Sequence, residues 1–245
     1  MTSSLKFRET ARHAGRLGMM EWRIALRSVT VAAVALLAAG ATLASSPTPE
    51  TAGVRVEKAA GDGVHYAQGS GVLIGEGLVL SAAHVLKYNP QDPKVTVLMA
   101  GWRVDGTLVS LGGPDTADLA LVKVEHAAMP AALRDVPPVP VCTRNAAINQ
   151  PMVVAAQGEV GPAMTAGLPT KPAAGRDWTT LLTPAYHQGA SGGGVFDARE
   201  GCLAGIIVEE VSGYAAPNTP FVDMTVFVPA SEIAAFLTKY RAAHP

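Results

Sequence analysis

The sequence predicts an all-β body closed by one C-terminal helix. Three observations carry this. Beyond residue 53 the apolar residues come in short runs of strand length, rich in Val, Ile and Leu. Gly, Pro, Asn and Asp break these runs at close intervals, the pattern of a barrel or sandwich rather than of alternating βα units. A helical repeat of apolar positions appears only near the end, in ASEIAAFLTKY.

The first apolar run stands apart from that body. VTVAAVALLAAGATLA, Val29 to Ala44, carries no charge and follows Arg27. It is short for a transmembrane helix, which needs about 20 residues. It suits the apolar core of a signal peptide, with small residues for cleavage near TLASS. Its basic leader is long, and a start at Met19 or Met20 would leave MEWRIALRS as an ordinary one. The alternative is an uncleaved signal anchor. Either way the basic flank stays inside, so the body is expected outside the cytoplasm, periplasmic or secreted. Residues 1–44 are thus read as signal or anchor, 45–58 as a linker (SSPTPETAG) and first strand, and 59–245 as the main domain.

Composition narrows the function classes. Hydrophobic residues make up 49% of the 245, ample for a core, and charged residues only 16%, so disorder is not the default. The net charge of −1 is unevenly spread, with six Lys/Arg and two acids in residues 1–44 and an acidic surplus of five in the remainder. A mildly acidic body without a basic stripe is a poor partner for nucleic acid. Membrane contact is expected only through residues 29–44. The two cysteines, Cys142 and Cys202, fit one disulfide in an exported compartment or two separate buried thiols. No cysteine–histidine cluster suggests a metal.

Within the body, GVLIGEGLVL reads as a hairpin turning at Gly75-Glu76-Gly77. KVTVLMA, GTLVSL, LALVKV, PMVVAA, TTLLT, CLAGIIVEEV and MTVFVP read as further strands. In the last element Ile233, Phe236, Leu237 and Tyr240 fall at i, i+3, i+4 and i+7, with Ser231 as N-cap.

Three polar residues stand among apolar neighbours: His84 in VLSAAHVL, Asp118 in TADLALVKV and Ser191 in HQGASGGGVFD. Serine attack on a carbonyl needs a base, usually histidine, to take its proton. The histidine needs an acid to fix its tautomer and stabilise the imidazolium. The oxyanion needs preorganised donors, and the N–H groups of Gly189 and Ser191 could supply two. Each residue alone is weak evidence. Their order, His then Asp then Ser, excludes the nucleophile elbow of α/β-hydrolases, where the serine comes first. Asp115 is the other candidate acid, but only Asp118 directly precedes the apolar run. His65 and His126 read as surface residues, and Trp102, Trp178 and Phe196 as packing.

On these residues the chain resembles a family. GSGVLIGEGLVLSAAHVL, DLALVKV and GASGGGVF look like the three signature blocks of chymotrypsin-fold (trypsin-like) serine proteases, in particular the exported bacterial HtrA/DegP type without its PDZ domains. The resemblance covers about 60–235. It implies two antiparallel six-stranded barrels with the active site between them. It implies His84 as general base, Asp118 as orienting acid, Ser191 as nucleophile, and no cofactor. It also implies substrate contacts at Ala185, His187, Gln188, Val208, Glu209 and Thr225, with Ala185 at the pocket base and Thr225 narrowing it for a small or medium apolar residue. The segment AGIIVEE resembles the strand that pairs with substrate.

The sequence departs from the family's pattern at Ala190, where Asp or Asn is usual, at Gly194, where Pro is usual, and at Val208, where a serine commonly buttresses the acid. The expected function is that of a serine endopeptidase acting on protein or peptide. The alternatives are an inactive peptide-binding module of the same fold, motivated by Ala190 and Val208, and an esterase on the same scaffold.

Overall fold

The computed structural model describes residues 47–62, 64–89, 91–113, 117–167, 180–214 and 221–244. The apolar run 29–44, Asp115 and Trp178 lie outside the described residues. No described helix is long and apolar enough to cross a membrane.

Among the described residues, twelve strands form two closed antiparallel barrels. The first contains β1 (Gly53–Ala59), β2 (Tyr66–Gly75), β3 (Leu78–Ser81), β4 (Lys94–Met99), β5 (Trp102–Leu111) and β6 (Ala120–Val124), in the order β1-β2-β3-β6-β5-β4. The second contains β7 (Pro151–Ala156), β8 (Glu159–Gly167), β9 (Thr180–Thr183), β10 (Gly194–Asp197), β11 (Leu203–Tyr214) and β12 (Phe221–Pro229), in the order β10-β11-β12-β9-β8-β7. Closure pairs each strand with two neighbours over at least part of its length.

The stretch read as a linker ends in a helical turn, α1 (Pro49–Ala52), whose Ala52 is buried and whose residues touch β7. Proline at N1 and the capping box of Thr48 with Thr51 explain why so short a segment is helical. The expected β2–β3 hairpin is present. Glu76 and Gly77 both have positive φ, 53° and 71°, as a two-residue primed turn requires. The strand EVGPAMTAG (β8) was not anticipated, because only Ala163 and Thr165 of it are buried and Pro162 interrupts its pattern.

Two short helices, α2 (Ala83–Leu86) and α3 (Ala131–Arg134), decorate the first barrel and the connection out of it. The chain ends in α4 (Ala230–Ala243). Ile233 and Leu237 are buried there, with Phe236 and Tyr240 packed against the same core, so the predicted stripe faces inward. Ser231 is not the N-cap: Pro229 holds that position, and the Asn145 side chain accepts the Ser231 N–H at 2.9 Å. A partner from a distant loop does what a local hydroxyl was expected to do.

One apolar core runs through the first barrel and continues into Phe196, Leu203, Ile206, Val208 and Val228 of the second and into α4. Lys58 is a charged residue buried beside it. Wholly buried, it donates to the carbonyls of Asp92 and Lys94, which is how a lysine survives there. Cys142 and Cys202 are joined in a disulfide, Cα atoms 5.1 Å apart, which decides between the two readings of the cysteines. Trp102 reverses its expected packing role: beside the tight turn at Ala100-Gly101, it is 66% exposed. Phe196, at 1% exposed, is core, and His65 and His126 are on the surface.

Candidate active site

Strand register brings His84 and Asp118 together. β3 pairs with β6 so that Ser81 faces Ala120. His84 lies three residues past the end of β3 and Asp118 two before β6, so antiparallel pairing puts both at one end of the barrel. The short helix α2 then turns His84 back toward the loop. Asp118 meets it with three groups. Its carbonyl accepts the Ala83 N–H at 3.2 Å, Oδ1 accepts the His84 backbone N–H at 2.8 Å, and Oδ2 lies 2.6 Å from His84 Nδ1. The carboxylate side chain is 15% exposed and the imidazole 35%, so the pair faces solvent on the histidine side.

Register does the same for the serine loop. Gly194 of β10 faces Ala155 of β7, so the residues before β10 run alongside those after β7, toward the Gln157-Gly158 turn. Ser191 heads this approach, half-buried. Its carbonyl accepts the Ser70 N–H from the first barrel at 2.8 Å. Gly69 fills the gap there: a Cβ on it would lie 2.7 Å from the Ser191 carbonyl oxygen and 2.9 Å from both methyls of Val85, the neighbour of His84. Only a glycine's thickness therefore separates the Ser191 backbone from α2. The Ser191 hydroxyl bonds to no other described residue.

The glycines around Ser191 have distinct duties. Gly189 and Gly192 have φ of 92° and 89°, which a side chain would strain. At Gly192 a Cβ would also fall 2.0 Å from the Ser70 carbonyl oxygen. The N–H groups of Gly189 and Ser191 donate to no described residue, whereas their neighbours do: Ala190 to His187, Gly192 to Ile207 and Gly193 to Ala190. Ala190 is buried at 1% exposure.

The remaining expected residues divide. Ala185 is half-buried, and His187, Gln188 and Glu209 are exposed. His187 Nδ1 lies 3.2 Å from a carboxylate oxygen of Glu210. Thr225 and Val208 lie deeper. Thr225 is wholly buried and its hydroxyl accepts the Tyr186 N–H at 2.6 Å, so it braces the loop from within. Val208 is buried in the core and offers a substrate little side-chain surface. A cavity of about 410 Å³ lies beside the disulfide, lined in part by Gln150 and Asp197 and by none of the residues above. Among the described residues no cluster could hold a metal ion.

Two residues that sequence reasoning missed stand at this site. Ser70 is wholly buried; its hydroxyl donates to the Gly189 carbonyl at 2.9 Å and accepts the Gln157 N–H at 2.8 Å. Gln157 in turn donates from Nε2 to the Gln188 carbonyl. The sequence signal was faint: a serine flanked by glycines at the head of the first signature block, and nothing at Gln157.

The family model for the trypsin-like peptidase domain matches residues 69–206, more than half of the chain. The chain belongs to the trypsin-like peptidase family. This family member also resembles the solved structures of the Rv3671c protease of M. tuberculosis. The active form aligns with a TM-score of 0.55 and 21% identity, over 78% of this chain and 82% of that one. The inactive form gives 0.54 and 22%, over 78% and 90%. At such identity the likeness is one of fold. A search of curated proteins found no significant match. Membership makes this trypsin-like protein a peptidase, with protein or peptide as its substrate.

Proposed function

We propose that this peptidase is a serine endopeptidase working through an acyl-enzyme. Ser191 Oγ attacks the scissile carbonyl while His84 Nε2 takes its proton. The oxyanion is received by the N–H groups of Gly189 and Ser191. His84 returns the proton to the leaving amine, then activates the water that releases the acyl group. The first step therefore requires a neutral His84 with a free Nε2 lone pair.

The observation that carries this reading is the double grip of Asp118 on His84. With Nδ1–H donated to Oδ2, at 2.6 Å, the lone pair is left on Nε2, as a general base needs. The open edge of β11 adds support. Past Ile207 that strand pairs with β12 on one side and with no described strand on the other, so an extended peptide can add to it. Because Ala185 carries no charge, the proposal extends to an uncharged residue before the scissile bond. It also extends to an exported location, resting on the Val29–Ala44 run and tested by cell fractionation.

A fluorophosphonate probe tests the chemistry. Labelling that is lost in Ser191→Ala and strongly slowed in His84→Ala is expected. An unlabelled wild-type protein that still binds peptides would instead indicate the inactive module. Ester hydrolysis without peptide cleavage would indicate the esterase.

A further inference from the structure

We propose that Ser70 and Gln157 form a bracket, reaching from the first barrel and from the β7–β8 turn, that aims the oxyanion-binding Gly189 N–H and anchors the loop on which the Ser191 N–H is held. This rests on the serine-peptidase reading and adds two positioning residues to it.

The argument follows the peptide planes. A trans peptide is planar, with its C=O and N–H pointing opposite ways, so fixing the carbonyl fixes where the next N–H points. Three successive planes precede Ser191. The Gln188 carbonyl accepts the Gln157 side-chain amide, so the Gly189 N–H points away from Gln157. The Gly189 carbonyl accepts the Ser70 hydroxyl at 2.9 Å, and the opposite end of that plane is held by the Ala190 N–H to the His187 carbonyl at 3.0 Å. The Ala190 carbonyl accepts the Gly193 N–H at 2.8 Å, so the Ser191 N–H points away from Gly193. All three planes are pinned, and among the described residues the N–H groups of Gly189 and Ser191 are the ends left without an acceptor.

The bracket is internally tied. Ser70 Oγ accepts the Gln157 backbone N–H at 2.8 Å while donating to Gly189, so one hydroxyl locks the turn and the loop together. Ser70 is itself held: its N–H donates to the Ser191 carbonyl and its carbonyl accepts the Ser81 hydroxyl at 2.7 Å. Gln157 has φ of 58°, which fixes the turn that aims its side chain. A buried alanine at position 190 cannot orient this loop through a side chain of its own. Outside the chain's own backbone, the bracket supplies that orientation.

Two variants test it. Ser70→Ala removes the hydroxyl, and Gln157→Asn keeps a residue that tolerates positive φ but is one methylene too short. Gln157 is exposed, so the second variant folds even if the first does not. Thr165→Val is the control. It deletes another buried hydroxyl bridging a carbonyl, of Ala147, and an N–H, of Gln150, without touching the loop. Two readouts are taken: the rate of Ser191 modification by a fluorophosphonate, and amide hydrogen exchange of the 187–193 segment. In both variants labelling slows about ten- to a hundredfold, less than or equal to the loss of one oxyanion donor. Exchange of the segment quickens, and Thr165→Val changes neither. Unchanged rate and exchange in Gln157→Asn, or equal changes in Thr165→Val, overturn the proposal. If the wild type is not labelled but exchange quickens in the two variants alone, the bracket stands and the serine-peptidase reading falls.

Discussion

The Asp118 carboxylate holds His84 at two points, its backbone N–H at 2.8 Å and its Nδ1 at 2.6 Å. One contact positions the main chain and the other the ring. Asp118→Asn should separate them. The amide oxygen can still accept the backbone N–H, so folding is kept. Its NH₂ then faces Nδ1 and forces the other tautomer, which puts the ring proton on Nε2. Peptide hydrolysis should fall by about 10³–10⁴, with a melting temperature close to that of the wild type. A variant that lost both stability and activity in proportion would argue that Asp118 is only a structural brace.

Gly192 and Gly201 have similar positive φ, 89° and 69°, but unlike surroundings. A Cβ at Gly201 meets nothing within 4 Å, whereas one at Gly192 meets the Ser70 carbonyl oxygen at 2.0 Å and the Ser81 hydroxyl at 2.4 Å. Gly201→Ala should cost only the left-handed backbone term, about 1 kcal/mol, and lower the melting temperature by about 3 °C. Gly192→Ala must push a barrel strand aside. We expect a loss of about 4 kcal/mol or more, seen as a large drop in melting temperature or a failure to accumulate folded protein.

The disulfide ties the connection between the barrels to the start of β11, across a sequence separation of 60. Closing a loop of that size restricts the unfolded chain by an amount worth about 4 kcal/mol at most. Reduction should therefore lower the melting temperature by roughly 5–15 °C. The Cys142→Ala, Cys202→Ala double variant should start at that lower value and ignore the reductant. A wild-type melting temperature unmoved by complete reduction would contradict this.

What the sequence disclosed follows from how each contact is encoded. His84, Asp118 and Ser191 were readable because each is a polar residue beside an apolar strand, and their order selects one fold. The Glu76-Gly77 turn was readable because its chemistry is local. Ser70 and Gln157 were not, since their partners are backbone atoms and any residue supplies those. Their meeting, 87 residues apart in sequence, exists only once the barrels have closed. The cap of α4 failed for the same reason: Asn145, 86 residues away, provides it. Val208 and Thr225 were given substrate contacts by analogy, and only the folded chain could show that Val208 sits in the core and that the Thr225 hydroxyl holds the Tyr186 N–H.

Asp197 gives a pH-dependent prediction. It is 7% exposed at the β10–β11 turn, where Oδ1 accepts the N–H groups of Arg199 at 2.7 Å and Glu200 at 2.9 Å, and Oδ2 accepts the Gln150 amide. Burial pushes its carboxyl up, but the Glu200 and Arg199 N–H groups, the Gln150 amide and the Arg199 charge together hold it below the ordinary 3.8. A depressed carboxyl stabilises the fold above its unfolded pKa, and that contribution is lost as pH falls through the folded one. The wild type should thus exceed Asp197→Asn in stability by a constant margin at neutral pH. The margin should shrink once the pH drops below 3.8. Denaturant unfolding at a series of pH values measures it. A gap that stayed constant down to roughly pH 3 would mean that the Asp197 charge contributes nothing to holding this turn.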